Sequence, residues 1–377
     1  MQMNARLSNS LQLLFVVVLV AVLAGMAITA HENLVRQGIA TGFGFLFDRT
    51  GWDVSASFVP QAPADPYWWT FLVGLSNTVA LSIVCIVLAT GAGLVLALLG
   101  AGQSRILHSL TRLYIWIFRN IPIIVQVFFW YHLTRQLPPV RQALEFFGCC
   151  YASNRGIYVP HVGVDASMIG VIAIVAVGAI ALAAFRWHEH RRARLGEAPL
   201  PGALMPAIVL ASAAVVAVFA LNFEIGAPRL QGFNFVGGTY LSPEFMALVA
   251  AIVFYNTAFI AEIINSGIRS VPRNQVEAAR IIGLSQQRTF WQITVPQAIR
   301  VAIPALTNQY ISLTKSTSLA IAIGYSDLFS VGVIAINHTG QSINIVAVLM
   351  LVYLVISLAI SALGNLYNRR IIARGMQ

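Results

Sequence analysis

Long apolar runs alternate with short polar segments along this chain. Eight of the runs are long enough to cross a bilayer as helices, which takes about 20 residues. They lie at 11–30, 71–100, 113–134, 168–185, 203–221, 244–264, 301–323 and 344–366. The pattern therefore predicts an all-α integral membrane protein with about eight transmembrane helices. Because the run at 301–323 contains Lys315 and several hydroxyl residues, we expect its outer half to be broken.

The composition also indicates a membrane protein. Hydrophobic residues make up 58% of the 377 positions and charged residues only 10%, whereas soluble domains carry about 25% charged residues. The formal net charge is +10. On a chain with several spans such a basic excess reflects orientation in the membrane, so it does not imply nucleic acid. The first apolar run is longer than the roughly 7–15 residues of a signal-peptide core, so we interpret it as a retained anchor.

The basic residues fall unevenly on the two sides of the membrane. If the N-terminus is cytoplasmic, fifteen of the 23 basic residues lie in inner segments, six lie in outer segments, and Arg119 and Lys315 lie within spans. The outer segments carry most of the acidic residues. Because basic residues accumulate in cytoplasmic loops, we expect both termini to be cytoplasmic.

A polar, arginine-rich loop at 270–296 separates two of the apolar runs. Asn274 can cap a short helix, and Glu277 can complete a capping box with it. Gly283 can end that helix in a left-handed conformation, and Ser285 can cap a second helix. The pattern predicts a helix, a glycine elbow and a second helix that leads into the membrane.

The same loop contains further features of a docking element. Pro296 suits the first turn of the following segment, where its missing N–H costs nothing. Ala278 and Ala279 leave the short helix slim, so a partner can approach it closely. An ordinary amphipathic helix at the membrane interface is the alternative interpretation of this pattern.

Four groups of residues resemble the permease subunits of bacterial ABC importers for polar amino acids, and in particular the general L-amino-acid permeases of alpha-proteobacteria. The groups are Phe118-Arg119-Asn120-Ile121-Pro122 with Gln126, Ala261-Glu262-Ile263 with Gly267 and Ser270-Val271-Pro272, Glu277-Ala278-Ala279-Arg280 with Gly283, Ile293 and Pro296, and Leu306-Thr307-Asn308-Gln309 with Leu313-Thr314-Lys315-Ser316. Together they cover the spans at 71–134 and 244–366.

The resemblance implies a fold and a division of the chain. The fold would be the five-helix core of a type I ABC importer permease, extended by the anchor and by a helical hairpin at 168–221. The implied parts are an anchor helix and periplasmic segment at 1–70, the first part of the core at 71–134, a periplasmic loop with the inserted hairpin at 135–243, and the second part of the core at 244–377.

The resemblance also implies a mechanism in the bacterial inner membrane. The helix around Glu277 would be a coupling helix that sits in a groove of a cassette ATPase. The residues implied in that contact are Glu277, Ala278, Ala279, Arg280, Gly283, Ile293 and Pro296. Two ATPase subunits, which hold ATP and Mg, would move the helix as they close. A periplasmic binding protein would deliver L-amino acids of broad specificity, and a second, different permease would complete the pathway.

Polar residues inside the spans are candidates for the substrate pathway, because charges within a membrane are costly and usually functional. The candidates are Arg119, Gln126, Glu262, Lys315 and Asp327. One interpretation is a cavity polar enough for a zwitterion, with Lys315 and Glu262 as the best-placed pair. The other interpretation is a structural network in which these charges neutralise one another.

The chain lacks the residues for ATP hydrolysis and for a metal site. A phosphate-binding loop needs Gly-x4-Gly-Lys-Ser/Thr, but Gln309 and Thr314 occupy the glycine positions before Lys315. We therefore expect no enzymatic activity and no cofactor on this chain, and the histidines have no metal-ligand spacing. Cys149 and Cys150 are adjacent, which suits neither an ordinary structural disulfide nor zinc, so we interpret them as loop thiols.

An amino-acid transporter driven by an ion gradient is the alternative functional class. It would need no coupling loop and would normally contain internal repeats, which are not evident in the sequence. A membrane-embedded enzyme is a third class, but the sequence offers no nucleophile with a matching base. A cassette ATPase that co-purifies with the chain would separate the first class from the second.

Overall fold

The computed structural model describes residues 42–165 except 56 and 103, residues 222–374 except 233, and part of the stretch 12–36. Every described residue of the anchor predicted at 11–30 is helical. The hairpin predicted at 168–221 lies outside the described residues. The chain forms two compact units, one from Met1–His132 with Glu244–Gln377 and the other from Leu133–Pro243.

Helices dominate the first unit, which confirms the predicted helical membrane fold. In chain order they are α1 (Tyr67–Ala101), α2 (Arg105–Asn120), α3 (Ile123–Arg135), α4 (Pro243–Arg269), α5 (Arg273–Ile281), α6 (Gln286–Thr289), α7 (Val295–Ser316), α8 (Leu328–Thr339) and α9 (Ser342–Arg374). Three of them, α1, α4 and α9, are each long and apolar enough to span a membrane. With two bent helix pairs counted as one span each, the described part of the chain holds up to five spans.

The run at 113–134, predicted as a single span, belongs to two helices that meet at 101°. Pro122 stands between them. Because a residue before proline is excluded from the helical region, Ile121 is extended, with φ of −87° and ψ of 124°. The buried Gln126 fixes the bend, since its Nε2 donates to the carbonyls of Phe118 and Ile121 at 3.1 Å each.

The predicted break in the run at 301–323 is confirmed. After α7 ends at Ser316, the chain tightens into a 3₁₀ helix over Thr317–Ile323, and Gly324 then turns with φ of +80°. The chain continues into α8, at an angle of 50° to the preceding segment. The helix α8 was not predicted from the sequence.

The turn before α8 is fixed to α1. The Nδ2 of Asn77 donates to the carbonyl of Ser326 at 2.8 Å, and the N–H of Leu328 donates to Oγ1 of Thr78 at 3.0 Å. Gly74 lies so close to α8 that a Cβ at this position would be 3.1 Å from Cα of Leu328. A buried hydrophobic cluster closes this end of the unit. Its members are Phe45, Val54, Tyr67, Phe71, Val73, Leu328, Val331, Ala335, Ile345 and Leu349.

The unit Leu133–Pro243 contains β-structure, whereas the sequence indicated only a loop and a hairpin of helices there. The strands are β1 (Leu144–Phe146), β2 (Cys150–Ser153), β3 (Gly156–Val159), β4 (His161–Asp165), β5 (Asn222–Gly226), β6 (Arg229–Gln231), β7 (Asn234–Val236) and β8 (Thr239–Leu241). An antiparallel sheet has the order β1-β2-β3-β8, and β4–β5 and β6–β7 form two further pairs. The rings of Tyr151 and Tyr158 each lie 4.7 Å from that of Phe235. Strands of three to five residues are too short to produce a clear alternating pattern in the sequence.

Candidate functional site

The helix α5 in the loop 270–296 presents a polar face. Glu277, Ala278 and Arg280 are exposed, while Ala279 is buried and attaches the helix to the rest of the unit. This arrangement leaves the helix accessible along most of its length.

The start of α5 differs from the prediction. Its N-cap residue is Pro272, which makes no side-chain capping bond, and the helix begins at Arg273. The capping box predicted for Asn274 and Glu277 is therefore wrong. Proline already has the backbone angle needed at a helix start, so the helix begins one residue before the predicted cap.

The end of α5 is a glycine elbow, as predicted. Gly283 has φ of +84°. The N–H of Leu284 donates to the carbonyl of Ala279 at 3.0 Å, and the N–H of Gly283 donates to that of Arg280 at 3.0 Å. These two bonds form a Schellman motif, which satisfies carbonyls that a helix end would otherwise leave free.

The second helix, α6, begins at the predicted cap. The Oγ of Ser285 accepts a hydrogen bond from the N–H of Arg288 at 3.4 Å. The Oγ1 of the buried Thr289 donates to the carbonyl of Ser285 at 3.1 Å. The elbow is therefore fixed on both sides of Gly283.

The loop passes into the span α7 without an interruption. A π-helical turn, Phe290–Thr294, connects α6 to α7, and Pro296 lies in the first turn of α7, as predicted. Ile293 within the connecting turn is half-buried. The Nε2 of Gln297 donates to Oε1 of Gln275 at 2.6 Å, which joins α5 directly to α7.

The spans α4 and α7 also contact each other closely beside this loop. A Cβ at Gly267 would lie 2.7 Å from the carbonyl oxygen of Ala298 and 3.3 Å from Cβ of Ala302. The absence of a side chain at Gly267 thus allows the two backbones to meet. α5 is therefore joined to α7, which in turn packs against α4.

An apolar patch at the end of α5 was missed in the sequence interpretation. Ile281 is 85% exposed and Ile282 is 77% exposed. Beside α5 lies a recess of about 510 Å³ lined by Val276, Arg280 and Phe290, among others. Two adjacent isoleucines at the end of a polar helix were the signal that could have revealed this patch, because large apolar side chains exposed to water mark contact surfaces.

A second site lies between α1, α2 and α4. Arg119 and Glu262 form a salt bridge, and both side chains are partly exposed. The guanidinium of Arg119 also lies 5.0 Å from the centre of the Phe259 ring. Glu262 is bonded to Arg119 in this structure, so the cargo contact predicted for Lys315 together with Glu262 stays a prediction.

The ion pair lines a cavity of about 890 Å³. The buried amide of Asn265 and the side chain of Arg269 line the same cavity. Arg269 follows Glu262 by seven residues, which places both on one face of α4. The cavity therefore offers hydrogen-bond donors and acceptors next to apolar surface.

The other predicted pathway residues are not among the residues that line this cavity. Lys315 is exposed in the last turn of α7, where a cation interacts favourably with the helix dipole. The buried Asp327 caps α8, since it accepts from the N–H of Ser330 at 2.9 Å and from its hydroxyl at 2.6 Å. Gln126 holds the α2–α3 bend. The partners of Asp327 and of the Gln126 amide nitrogen lie within the chain and serve its fold.

Comparisons with known proteins agree with these features. Residues 200–373 match the family described as binding-protein-dependent transport system inner membrane component. The Escherichia coli K12 protein YhdX, named as an amino-acid ABC transporter permease, is 40% identical over 96% of this chain and 93% of its own length. The general L-amino acid transport system permease AapQ of Rhizobium johnstonii is 37% identical over 95% of this chain and 90% of its own length.

A solved structure also matches. A chain in the crystal structure of an amino acid ABC transporter with histidines aligns with a TM-score of 0.47 and 20% identity, over 81% of this chain and 95% of that chain.

Proposed function

This chain belongs to the permease subunits of amino-acid ABC transporters, and from that premise we propose how it couples a partner's ATP hydrolysis to import. It is an inner-membrane permease that works with a cassette ATPase and a binding protein. The coupling element is the loop 270–296. The observation that carries this proposal is the direct connection of α5 to α7 by Gln275 and Gln297.

The ATPase contact is formed by the exposed side of the loop. Its polar part consists of Glu277, Ala278 and Arg280, and its apolar part is the patch Ile281–Ile282. Buried apolar surface would supply affinity, and the charges would fix orientation. The shape of the loop is stabilised by Gly283, Ile293 and Pro296, which are not part of this contact surface.

Movement of the ATPase then reaches the membrane through α5. The bond of Gln275 to Gln297 transmits a displacement to α7, and the close approach at Gly267 transmits it to α4. Both spans belong to the same packed unit as the cavity beside Arg119 and Glu262. Closure of two ATPase subunits on ATP and Mg would thereby switch access to this cavity, while this chain itself binds no cofactor and catalyses no reaction.

The cargo site in this proposal is the cavity lined by Arg119 and Glu262. A free amino acid carries one carboxylate and one ammonium group, and a guanidinium–carboxylate pair offers a partner to each. The cavity volume of about 890 Å³ leaves space for side chains of different size, which supports broad specificity for L-amino acids. Lys315 would act farther along the pathway. Gln126 and Asp327 would hold the spans that form it.

The remaining parts of the proposal concern assembly. The distribution of arginines supports cytoplasmic termini, with the loop 270–296 inside and the segments 135–167 and 222–243 outside. These outer segments would then face the binding protein. A second, different permease subunit would pair with this chain, and each permease would hold one of two ATPase copies.

Purification of the complex tests the proposed ATPase contact. The double variant Ile281→Asp with Ile282→Asp should lose the cassette ATPase, because carboxylates would replace the apolar patch. Leu230→Asp is the control, since Leu230 is an exposed apolar residue of the other unit. The control should retain the ATPase.

The same preparation separates this function from transport driven by an ion gradient. Uptake into proteoliposomes should require ATP on the side of the ATPase and should continue when ionophores collapse ion gradients. Normal ATPase retention by the Ile281→Asp, Ile282→Asp variant, or uptake that an ionophore abolishes while ATP is present, would contradict the proposal.

A further inference from the structure

The turn between β1 and β2 brings two cysteines to the same place. Phe146 is the register partner of Cys150, and its carbonyl also accepts a hydrogen bond from the N–H of Cys149 at 3.3 Å. Cys149 therefore closes the turn, and Cys150 directly after it is the first residue of β2.

The turn position of Cys149 allows the two cysteine side chains to lie near each other. Successive side chains in a regular strand point to opposite faces of the sheet. Here the Sγ atoms of Cys149 and Cys150 are only 3.8 Å apart, and both side chains are half-exposed. The pair is accessible and its two sulfur atoms are in non-bonded contact, whereas Cys85 is buried.

We propose that Cys149 and Cys150 form a vicinal dithiol that a disulfide-bearing oxidant converts reversibly to a disulfide. One thiolate attacks the oxidant and forms a mixed disulfide, which releases one thiol. The second thiolate then attacks the first cysteine sulfur and releases the other thiol. Two S–H bonds of the chain are lost and one S–S bond forms, while the oxidant is reduced by two electrons to two thiols.

Covalent geometry makes such a bond easy to reverse. Neighbouring Cα atoms across a trans peptide are about 3.8 Å apart, whereas bridged cysteines usually have Cα atoms about 4.4–6.8 Å apart. The closed ring is therefore strained, and strained, exposed disulfides are more oxidising and are readily reduced. The pair suits a redox-responsive modification site better than a structural crosslink.

The turn beside the pair would respond to ring closure. Phe147 has φ of +55° and is the only non-glycine residue with a positive φ in the described part of the chain. Its side chain is 98% exposed. Ring closure at Cys149 and Cys150 would act directly on this strained turn and on the aromatic side chain at its tip.

The compartment of the site rests on the orientation given under the proposed function. An outer location of the segment 135–167 would place the dithiol where disulfides persist. Burial and the neighbouring Cys149 thiol raise the pKa of Cys150, so its thiolate is scarce at neutral pH. Oxidation should consequently accelerate as the pH rises.

Mass spectrometry of the purified complex tests the dithiol itself. The complex is treated with oxidised glutathione, then alkylated with N-ethylmaleimide and digested. We expect the peptide with both cysteines to lose two hydrogen atoms and to carry neither maleimide nor glutathione. Dithiothreitol should restore double alkylation, and Cys85→Ser should leave the result unchanged.

The single variants Cys149→Ser and Cys150→Ser are the matched controls. Each should stop at a stable mixed disulfide with glutathione. Two glutathione adducts on the native peptide, a disulfide between two copies of the chain, or two thiols that remain alkylated would overturn the proposal.

The orientation is tested separately, with a membrane-impermeant maleimide on intact spheroplasts. We expect it to label Cys149 and Cys150 from outside. Labelling only after permeabilisation would overturn the outer location while leaving the dithiol chemistry intact.

Discussion

Gln297 donates a hydrogen bond from Nε2 to Oε1 of Gln275 at 2.6 Å and thereby joins the coupling helix α5 to the span α7. Removing this bond should weaken the transfer of movement from α5 to α7 more than it weakens binding of the ATPase. Gln275→Leu is expected to retain the ATPase but to reduce amino-acid uptake per ATP hydrolysed, since a single hydrogen bond contributes about 0.5–1.5 kcal/mol. Uptake and hydrolysis measured together in proteoliposomes test this. Gln286→Leu on the neighbouring helix is the control, and an unchanged ratio in Gln275→Leu would contradict the expectation.

Gly283 requires a left-handed backbone, with φ of +84°. A Cβ there meets nothing within 4 Å, so a substitution acts through backbone conformation and not through a clash. Gly283→Val should disrupt the elbow, at a cost of about 1–2 kcal/mol, and reduce ATPase retention. Gly283→Asn should be tolerated, because asparagine adopts this conformation more readily. Equal ATPase retention by the two variants would show that the elbow is not needed.

Gly267 and Gly91 form a matched pair of helical glycines. A Cβ at Gly267 would lie 2.7 Å from the carbonyl oxygen of Ala298, whereas one at Gly91 would meet nothing within 4 Å. Gly267→Ala should therefore destabilise the complex by about 1–3 kcal/mol through overpacking. Gly91→Ala should leave its thermal stability unchanged or raise it. A melting temperature of Gly267→Ala equal to that of the native complex would refute the close approach of α4 and α7.

Arg119 and Glu262 can be exchanged to separate a structural role from a transport role. Glu262→Gln should impair assembly or uptake, because it leaves a guanidinium in the cavity without its carboxylate. The double variant Arg119→Glu with Glu262→Arg restores a pair of opposite charges and should restore assembly. We expect this assembled variant to remain defective in uptake, since the charges that meet the cargo have changed places. Full uptake by the double variant would show that the pair has only a structural role.

Local signals in the sequence predicted the structure correctly where a single residue type determines the backbone conformation. Gly283 and Ser285 were predicted correctly because a left-handed turn and a helix cap depend on single side chains. Asn274 is not the N-cap, because Pro272 takes that position and the helix begins at Arg273. The sequence indicated the break in the run at 301–323 but not α8.

Relationships between distant residues could not be predicted from one sequence. Arg119 and Glu262 are far apart in the chain, and only the packing of α2 against α4 brings them together. Lys315 and Glu262 are the best-placed charged pair by sequence for contacting the cargo, but the sequence does not show that Arg119 is the residue bonded to Glu262. The close approach of the Cys149 and Cys150 sulfur atoms depends on the turn before β2, which their adjacency in the sequence did not reveal.

A photo-crosslinking amino acid at position 277 provides the most direct test of the coupling loop. In the assembled complex, the group at Glu277 should form a covalent adduct with the cassette ATPase. The same group at Glu145, an exposed residue of the unit Leu133–Pro243, should form none. We predict an adduct with the ATPase from position 277 and none from position 145. An ATPase adduct from position 145, or none from position 277 in a complex that hydrolyses ATP and transports, would contradict the assignment of the loop 270–296 as the coupling site.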